Sequence, residues 1–507
     1  MRIKTLKLHN FRGYTEETAI DFGDLTAFVG KNDIGKSSIL EALDIFFNQG
    51  KGTVKLDKDD INRSALERGD REITISICFE DLPNSVIIDA TNETSLQEEH
   101  LLNADGQLEI VKKYPNAGNE KVFIRAYHPT NPNCADLLQK KESELRRIID
   151  TQGIECVDRT RNAVMRASIW NHYSNDLQLG VVDIDISKSD AKAIWDKLQT
   201  YLPMYTLFQA DRKNSDGDSE IQDPLKEAVK EILADNTLAR LLDQVTSEVD
   251  RKLQEVSDRT LAKLREMDAD IANSLSPTLP TATQLKWSDV FKNVSITGDG
   301  NIPINKRGSG VRRLILLNFF RAEAERRLLE RSATSIIYAI EEPETSQHSE
   351  NQRKLIKALI ELSRAANTQV LITTHSATIV KELHFGDVRL ITTNGSTLDV
   401  LSVSPNQLPY PSLNEVNYLA FSEITEEYHN ELFGHIEEHA EMNNFKSGKP
   451  TMCYRKHWHG REIEEQLTLS EYIRHQIHHP ENRLNTRYTR EQLHESIELM
   501  RDFISTM

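Results

Sequence analysis

The chain has 507 residues, of which 38% are hydrophobic and 28% charged, and its formal net charge is −17. This acidic balance argues against a protein that coats nucleic acid by bulk charge, and the length predicts about three domains. The four cysteines are scattered without CxxC spacing, which excludes a disulfide scaffold or a cysteine zinc finger and favours a reducing, cytoplasmic setting. No stretch approaches the roughly 18 apolar residues of a transmembrane helix, and the N-terminus lacks the apolar core of a secretory signal.

The N-terminal part of the chain predicts several strands and one strand–loop–helix unit. Residues 3–8 alternate apolar side chains with lysines, which indicates a half-buried edge strand. Residues 25–29 form a short apolar run that ends at a glycine, and residues 37–47 then show helical periodicity. Residues 72–80 and 107–114 alternate like strands of an antiparallel sheet.

Later segments predict a helical insertion and a second group of buried strands. Residues 201–210 are apolar and extended, and residues 224–276 contain no internal proline and no glycine. In 224–276 apolar residues recur three or four apart, which predicts one or two long exposed amphipathic helices. The apolar runs 335–340 and 369–373 flank a helical segment at 350–366, and this strand–helix–strand order indicates a parallel sheet.

The most specific motif is the segment GKNDIGKS at 30–37, which satisfies the P-loop pattern between a predicted strand and a predicted helix. Glycines let the backbone approach phosphate oxygens, and the helix N-terminus offers unpaired N–H groups to an anion. We expect Lys36 to reach the β- and γ-phosphates of ATP and Ser37 to ligate Mg²⁺. The predicted nucleotide-binding residues of this loop are Gly30, Asn32, Gly35, Lys36, Ser37 and Ser38.

A second motif is the apolar strand at 335–340, which runs into the acids of a Walker B pattern, EEPE. The first acid, Glu341, is predicted to hold the Mg²⁺ shell, and Glu342 to orient and polarise the attacking water. Aspartate is usual at the first position. Because glutamate is one methylene longer, we expect Glu341 to contact the metal through water, which leaves room for a slow ATPase.

Two further segments complete a candidate nucleotide site. Residues 369–376, QVLITTHS, end a predicted strand on His375, which we expect to contact the γ-phosphate as a switch. A lone histidine at a strand end is usually structural, but the two preceding motifs favour the switch role. The segment KRGSGVRR at 306–313 precedes a basic helix predicted over 310–331, and its Ser309 and Gly310 suit an anion site. It looks like a divergent signature loop that closes on the ATP of a second subunit.

Together these motifs resemble the ABC-type ATPase head shared by SMC, RecF and OLD-family proteins, and the EEPE form is typical of the OLD-like branch. The segment Asn10-Phe11-Arg12-Gly13 strengthens the resemblance, because in that family such a segment precedes the P-loop and its arginine, here Arg12, can reach the nucleotide. Gln209, just before the predicted arm, matches the Q-loop by position, with Asp211 and Asp218 as alternatives.

The resemblance implies an α/β fold, an ABC-type ATPase head in which a parallel P-loop sheet adjoins an antiparallel lobe, with a helical arm insertion. The predicted domains are an N-terminal ATPase lobe (1–210), the arm (211–285), a C-terminal ATPase lobe (286–412) and a helical, histidine-rich C-terminal region (413–507). Such heads associate head to tail, with ATP and Mg²⁺ between the P-loop of one copy and the signature of the other.

The C-terminal string SEYIRHQIHHPENRLNTRYTREQL resembles the tail of ATPases from bacterial anti-phage systems, and the similarity is closest to the Septu-type (PtuA) ATPases. Those ATPases also occur as retron accessory proteins. The resemblance therefore implies a separate HNH-type nuclease partner, a retron reverse transcriptase with its msDNA, nucleic acid reached through the complex, and no membrane. The absence of an Asp-x-Asp after His375 argues against a fused Toprim nuclease.

Two alternatives remain open for the activity. Arg474 and His479 fit the R-x4-H pattern of HEPN ribonucleases, which would make the chain a self-contained, ATP-gated RNase. Pro480 follows directly, and a basic, histidine-rich docking surface is the simpler interpretation. The other alternative is a DNA-repair ATPase of the RecF/SMC type, although the predicted arm is short and carries no zinc-hook CxxC.

Overall fold

The structure is a computed structural model that describes residues 1–31, 34–48, 52–88, 93–186, 191–209, 335–345, 347–394, 397–403, 412–459 and 461–507, with isolated helical positions between 240 and 255. The chain divides into two compact units, residues 1–210 with 324–507, and residues 211–323. In the second unit, Arg251 pairs with Glu248 and Glu255, three and four residues away, as on an exposed helix. The predicted arm at 211–285 stays a prediction, and the signature loop and basic helix lie outside the described residues.

The first unit contains all the named helices and strands. The strands are β1 (Arg2–His9), β2 (Thr18–Asp21), β3 (Leu25–Val29), β4 (Glu72–Glu80), β5 (Val86–Ile87), β6 (Glu93–Thr94), β7 (Leu108–Pro115), β8 (Lys121–Pro129), β9 (Leu179–Asp185), β10 (Met204–Phe208), β11 (Ile336–Glu341), β12 (Thr368–Thr374), β13 (Val388–Asn394), β14 (Thr397–Ser402), β15 (Thr451–Trp458) and β16 (Arg461–Thr468). The helices are α1 (Lys36–Asn48), α2 (Arg63–Glu67), α3 (Glu142–Gln152), α4 (Asn162–His172), α5 (Ala191–Leu198), α6 (Ser349–Ser363), α7 (Ala377–Val380), α8 (Leu413–Phe421), α9 (Glu426–Glu438), α10 (Met442–Lys446), α11 (Leu469–His478) and α12 (Arg490–Ile504). None of these described helices is both long and apolar enough to cross a membrane.

The antiparallel lobe is a six-stranded sheet in the order β2-β1-β4-β7-β8-β9. The prediction that residues 3–8 form an edge strand is wrong, because β1 lies between β2 and β4 and pairs with both. On β1 and β4, the side chains that face the core are fully buried, as at Leu6 and Ile77. They share one core with side chains of the second sheet, including Phe28 and Leu371.

The second sheet carries the predicted nucleotide motifs, in the order β10-β11-β12-β3-β13-β14. Its first five strands are parallel, and β14 returns antiparallel beside β13. The five residues of β3 are all buried, as a continuous apolar run in a covered parallel sheet requires. The predicted α/β class, with a parallel P-loop sheet and an antiparallel lobe, is confirmed.

A glutamine side chain of the second sheet hydrogen-bonds to the first strand of the antiparallel sheet. Gln369, at the start of β12, is 3% exposed. Its Oε1 accepts from the backbone N–H of Ile3 at 2.7 Å, and its Nε2 donates to the carbonyls of Ile3 at 3.0 Å and Gly23 at 3.1 Å. Ile3 lies beyond the part of β1 that pairs with β2, and the amide supplies the hydrogen bonds that a longer neighbouring strand would supply there.

The C-terminal region has a separate hydrophobic core formed by side chains of α9 to α12. Its fully buried members include Tyr428, Leu432, Ile436, Phe445, Ile473, Ile497 and Met500. The prediction of a helical region is incomplete, because β15 and β16 form an antiparallel hairpin. Its two strands are linked by ion pairs, such as Arg455 Nε to Glu464 Oε1 at 3.0 Å. Charged side chains on both faces of the hairpin conceal the alternation that indicates a strand.

Candidate nucleotide site

The P-loop connects the carboxyl end of β3 to the N-terminus of α1. Lys36 is 4% exposed, and its ammonium donates to the carbonyls of Gly30 at 2.9 Å and Lys31 at 2.7 Å. Gly35 has φ = +87°, a conformation that favours glycine. The loop therefore has the sharp turn and the central lysine that a phosphate-binding loop needs, with the helix N-terminus directly behind it.

The P-loop residue predicted to bind metal, Ser37, is joined to the Walker B strand. Its hydroxyl donates a hydrogen bond to Oε1 of Glu341, the last residue of β11. Hydroxyl and carboxylate oxygens are ligands that suit Mg²⁺. The two residues predicted to hold the metal therefore meet at one point and fit that ion.

Glu342, which is predicted to orient and polarise the attacking water, lies next to the predicted switch histidine. Oε1 of Glu342 is 3.2 Å from Nδ1 of His375. The backbone of Glu342 has φ = 41°, the left-handed region that non-glycine residues rarely adopt. Its N–H donates to the carbonyl of Thr373 at 3.1 Å, which ties this strained residue to β12. Strain of this kind concentrates at functional sites.

A third acid of the same segment was not among the predicted site residues. Glu344 is 3% exposed. Its Oε1 accepts from the hydroxyl of Thr374 at 2.7 Å and from the N–H of His375 at 2.9 Å, and Nδ1 of His375 is 3.5 Å away. The EEPE pattern contains Glu344, but nothing in the pattern indicates that this acid turns toward the neighbouring strand.

Two residues that were placed by family resemblance, Arg12 and Gln209, meet at one glutamate of α1. Arg12 forms an ion pair with Glu41, donates to Asp60 at 2.8 Å and to Ser38 at 3.4 Å, and Gln209 donates to Glu41 at 3.4 Å. Burial opposes the charge of Arg12, but the hydrogen bond and charge of Asp60, together with those of Glu41, raise its pKa overall. Glu41, which sequence reasoning missed, lies one helical turn after Ser37.

Leu398, in the β13–β14 hairpin, packs against the P-loop. A methyl group at Gly13 would lie 2.5 Å from Cδ1 of Leu398, and one at Gly35 would lie 2.6 Å from the same atom. The hydroxyl of Tyr14 also donates to the carbonyl of Gly35 at 3.2 Å, and burial raises the pKa of Tyr14. The loop that carries Arg12 and the P-loop are therefore packed against one side chain.

Several predicted site residues lie outside the described part of the chain. They are Asn32 of the P-loop, the signature residues Ser309 and Gly310, and the alternatives to Gln209, Asp211 and Asp218. The described residues bring together the remaining predictions for this site, which are Arg12, Gly30, Gly35, Lys36, Ser37, Ser38, Gln209, Glu341, Glu342 and His375. They come from the ends of β1, β3, β10, β11 and β12, and four of those strands lie parallel in one sheet.

Of the R-x4-H residues of the C-terminal region, Arg474 lies within α11 and His479 directly follows it. The guanidinium of Arg474 is 4.3 Å from the ring centre of Phe433 and donates to Glu437 at 3.1 Å. His479 follows the helix, and its Nδ1 is 3.2 Å from Oε1 of Glu481. Both side chains thus contact carboxylates of their own chain, and the RNase role stays a prediction.

Comparison with known proteins gives one family match. The family described as AAA ATPase domain matches residues 1–380. Among curated proteins, none matches the chain.

Solved structures similar to the chain include three SMC heads. The SmcHead bound to the C-winged helix domain of ScpA has 14% identity and a TM-score of 0.37, and the match covers 80% of this chain and 98% of that one. The SMC head domain from Thermotoga maritima has 12% identity and a TM-score of 0.32, with 80% and 100% covered. The Smc head domain with an extended coiled coil bound to the C-terminal domain of ScpA derived from Pyrococcus furiosus has 16% identity and a TM-score of 0.35, with 80% and 97% covered. Scores this low add nothing to the family match.

Proposed function

This chain belongs to the AAA ATPase domain family, and from that family together with the resemblance of its C-terminal string we propose that it is the ATP-binding and hydrolysing subunit of an anti-phage defence complex, whose nucleotide state controls a separate HNH-type nuclease. The observation that carries the ATPase part is the meeting of Ser37 with Glu341 and of Glu342 with His375. Glu341 is the last residue of β11, and Glu342 directly follows it. His375 follows β12, and Ser37 lies in the helix that follows β3. These three strands are neighbours, and their carboxyl ends share one edge of a parallel sheet.

Each residue of this edge has a distinct task in ATP hydrolysis. Lys36 and the N-terminus of α1 bind the phosphates, and Ser37 with Glu341 would hold Mg²⁺. When bound, Mg²⁺ neutralises charge on the β- and γ-phosphate oxygens. Glu342 accepts the hydrogen bond of the attacking water and orients it toward the γ-phosphate, and His375 contacts the same phosphate.

Self-association is part of the proposal. A second copy would supply Ser309 and Gly310 to the nucleotide bound at the first copy, so that ATP adds contacts between the copies and hydrolysis removes them. Such a device shifts the balance between an engaged and a disengaged state by the difference in ATP affinity of the two states.

The C-terminal region is the proposed contact with the nuclease. It begins beyond residue 380, where the family match ends, and it has its own buried core, as an added module would. Arg474 is held on Phe433 and Glu437 of α9, which favours a structural or docking role over phosphate binding.

The test uses the purified chain with ATP and Mg²⁺, incubated with total tRNA and with linear DNA, beside Glu342→Gln and His479→Ala. We expect ATP turnover that Glu342→Gln abolishes, no cleavage of either nucleic acid, and turnover in His479→Ala equal to the wild type. Cleavage of tRNA that His479→Ala abolishes would instead identify an RNase, and turnover stimulated by DNA would identify a repair-type ATPase.

The nuclease partner is tested in cells. We expect protection from phage to require both intact Glu342 and a separate gene for an HNH nuclease, so that inactivating either one removes protection. Protection by this chain without any HNH nuclease would overturn the partner proposal and leave the ATPase proposal standing.

A further inference from the structure

Glu344 has no task in the chemistry described so far, yet it is buried at the centre of the site. A carboxylate that leaves water needs hydrogen-bond partners to offset its loss of solvation. The partners of its Oε1 all come from the end of β12, namely the hydroxyl of Thr374 at 2.7 Å and the N–H of His375 at 2.9 Å. Glu344 thus links the turn after β11 to the residue that bears the switch imidazole.

The orientation of that imidazole follows from its neighbours. Nδ1 of His375 lies 3.2 Å from Oε1 of Glu342 and 3.5 Å from Oε1 of Glu344. A ring nitrogen that faces two carboxylate oxygens donates its proton to them. The ring of His375 is therefore held between two acids of one turn.

Stability alone does not account for a charged side chain at this position. Oε2 of Glu344 is buried and has no hydrogen-bond partner among the described residues. An unsatisfied buried oxygen is unfavourable, and departures of this kind from local rules are typical of functional sites.

We propose that Glu344 is a positioning residue for ATP hydrolysis: it fixes the Thr374–His375 peptide so that His375 and Glu342 keep the geometry required at the γ-phosphate. The inference rests on the proposed ATPase function. Glu344 acts through His375 and Glu342 and does not itself contact ATP.

The test measures kcat, KM and ATP affinity for Glu344→Ala and Glu344→Gln. We expect Glu344→Ala to lower kcat about 10- to 100-fold while KM changes less than about 3-fold, because the lost contact matters after ATP is bound. Glutamine keeps one oxygen for Thr374 and for the N–H of His375, so Glu344→Gln should recover part of the loss even if the alanine variant folds poorly.

A matched control is Glu109→Gln in the antiparallel sheet. Glu109 is 2% exposed and likewise accepts from a hydroxyl, that of Ser76 at 3.0 Å. We expect this variant to lose stability and to keep the kcat of the wild type.

A double-mutant cycle separates positioning from general stabilisation. If Glu344 acts through His375, Glu344→Ala should cost less than about 3-fold in kcat once His375→Ala is present. An equal loss with and without His375, or a rise in KM as large as the fall in kcat, would overturn the positioning role. Unchanged turnover of Glu344→Ala beside an active wild type would overturn that role alone, whereas an inactive wild type would overturn the proposed ATPase as well.

Discussion

The hydroxyl of Ser37 donates a hydrogen bond to the carboxylate of Glu341, although 304 positions separate them in the chain. The contact joins the first turn of α1 to the last residue of β11. It places a neutral and a charged oxygen ligand at the same point of the sheet edge, so the metal dependence of ATP binding is directly testable.

Replacing Ser37 by alanine removes one of these oxygens. We expect Ser37→Ala to weaken ATP binding in the presence of Mg²⁺ about 10- to 100-fold, because this is what the loss of one hydrogen bond or ligand to a charged group costs. ATP binding in EDTA should be unchanged. Isothermal titration with and without Mg²⁺ measures both affinities. Ser363→Ala, which removes a hydroxyl bonded to the Ile360 carbonyl at 2.8 Å, is the control. Equal Mg²⁺ dependence in Ser37→Ala and wild type would contradict the metal assignment.

The two glycines that pack against Leu398, Gly13 and Gly35, allow a matched comparison of alanine substitutions. Gly13→Ala and Gly35→Ala both push a methyl group into Cδ1 of Leu398, and overpacking of this kind costs about 1–3 kcal/mol of stability. Adding Leu398→Ala should relieve Gly13→Ala. It should not relieve Gly35→Ala, because the φ of +87° stays unfavourable for alanine. Thermal unfolding and ATP affinity of the single and double variants measure the difference, and equal rescue of both would show that backbone conformation is not limiting at Gly35.

The ion pair between Arg12 and Glu41 predicts opposite effects of two substitutions. If Arg12 binds a phosphate, Arg12→Ala weakens ATP binding, whereas Glu41→Gln removes a competing negative charge and should tighten it about 3- to 10-fold. Nucleotide titrations of both variants test the sign. Glu98→Gln, at an exposed glutamate of the antiparallel lobe, should change nothing. Weaker binding by Glu41→Gln would show that Glu41 supports Arg12 instead of competing for it.

A buried histidine makes the C-terminal region sensitive to acid. His429 is fully buried on α9, and its Nε2 is 3.0 Å from the hydroxyl of Ser496. Burial, with a smaller effect of the Arg474 charge, lowers the pKa of His429 from 6.5 to about 4. The unfolded chain therefore binds the extra proton first as the pH falls. Between the two pKa values, the free energy of unfolding decreases as the pH is lowered, by up to about 3 kcal/mol.

Hydrogen exchange of α9 and α12 at neutral pH and at about pH 5 measures this loss. His429→Gln should abolish the pH-dependent part, whereas His439→Gln, at an exposed position of the same region, should keep it. A wild-type chain whose protection is equal at both pH values would contradict the prediction.

Much of the nucleotide site could be predicted because its key residues lie in short motifs at the ends of apolar strands. The strand at 25–29 and the helix after it are confirmed as β3 and α1, and the runs at 335–340 and 369–373 correspond to β11 and β12. The chemistry of these motifs needs several residues at fixed spacing, so few other arrangements satisfy it.

The residues that sequence reasoning missed depend on contacts between distant segments. Glu41 matters because Arg12 and Gln209 reach it from two strand ends, and Leu398 matters because two glycines pack against it. Glu344, in the turn after β11, reaches Thr374 at the end of the neighbouring parallel strand β12. The β15–β16 hairpin was missed for a different reason, since its cross-strand ion pairs replace the apolar alternation.

The strand order has a consequence for synthesis of the chain. The P-loop strand β3 lies between β12 and β13, whose residues begin at Thr368 and Val388. At about 5–20 residues per second, roughly 20–70 s pass between the emergence of β3 and that of its partners. During that time the apolar run Leu25–Val29 has no sheet to join. The growing polypeptide therefore needs protection from aggregation, and it acquires the ability to bind ATP only after most of it has left the ribosome.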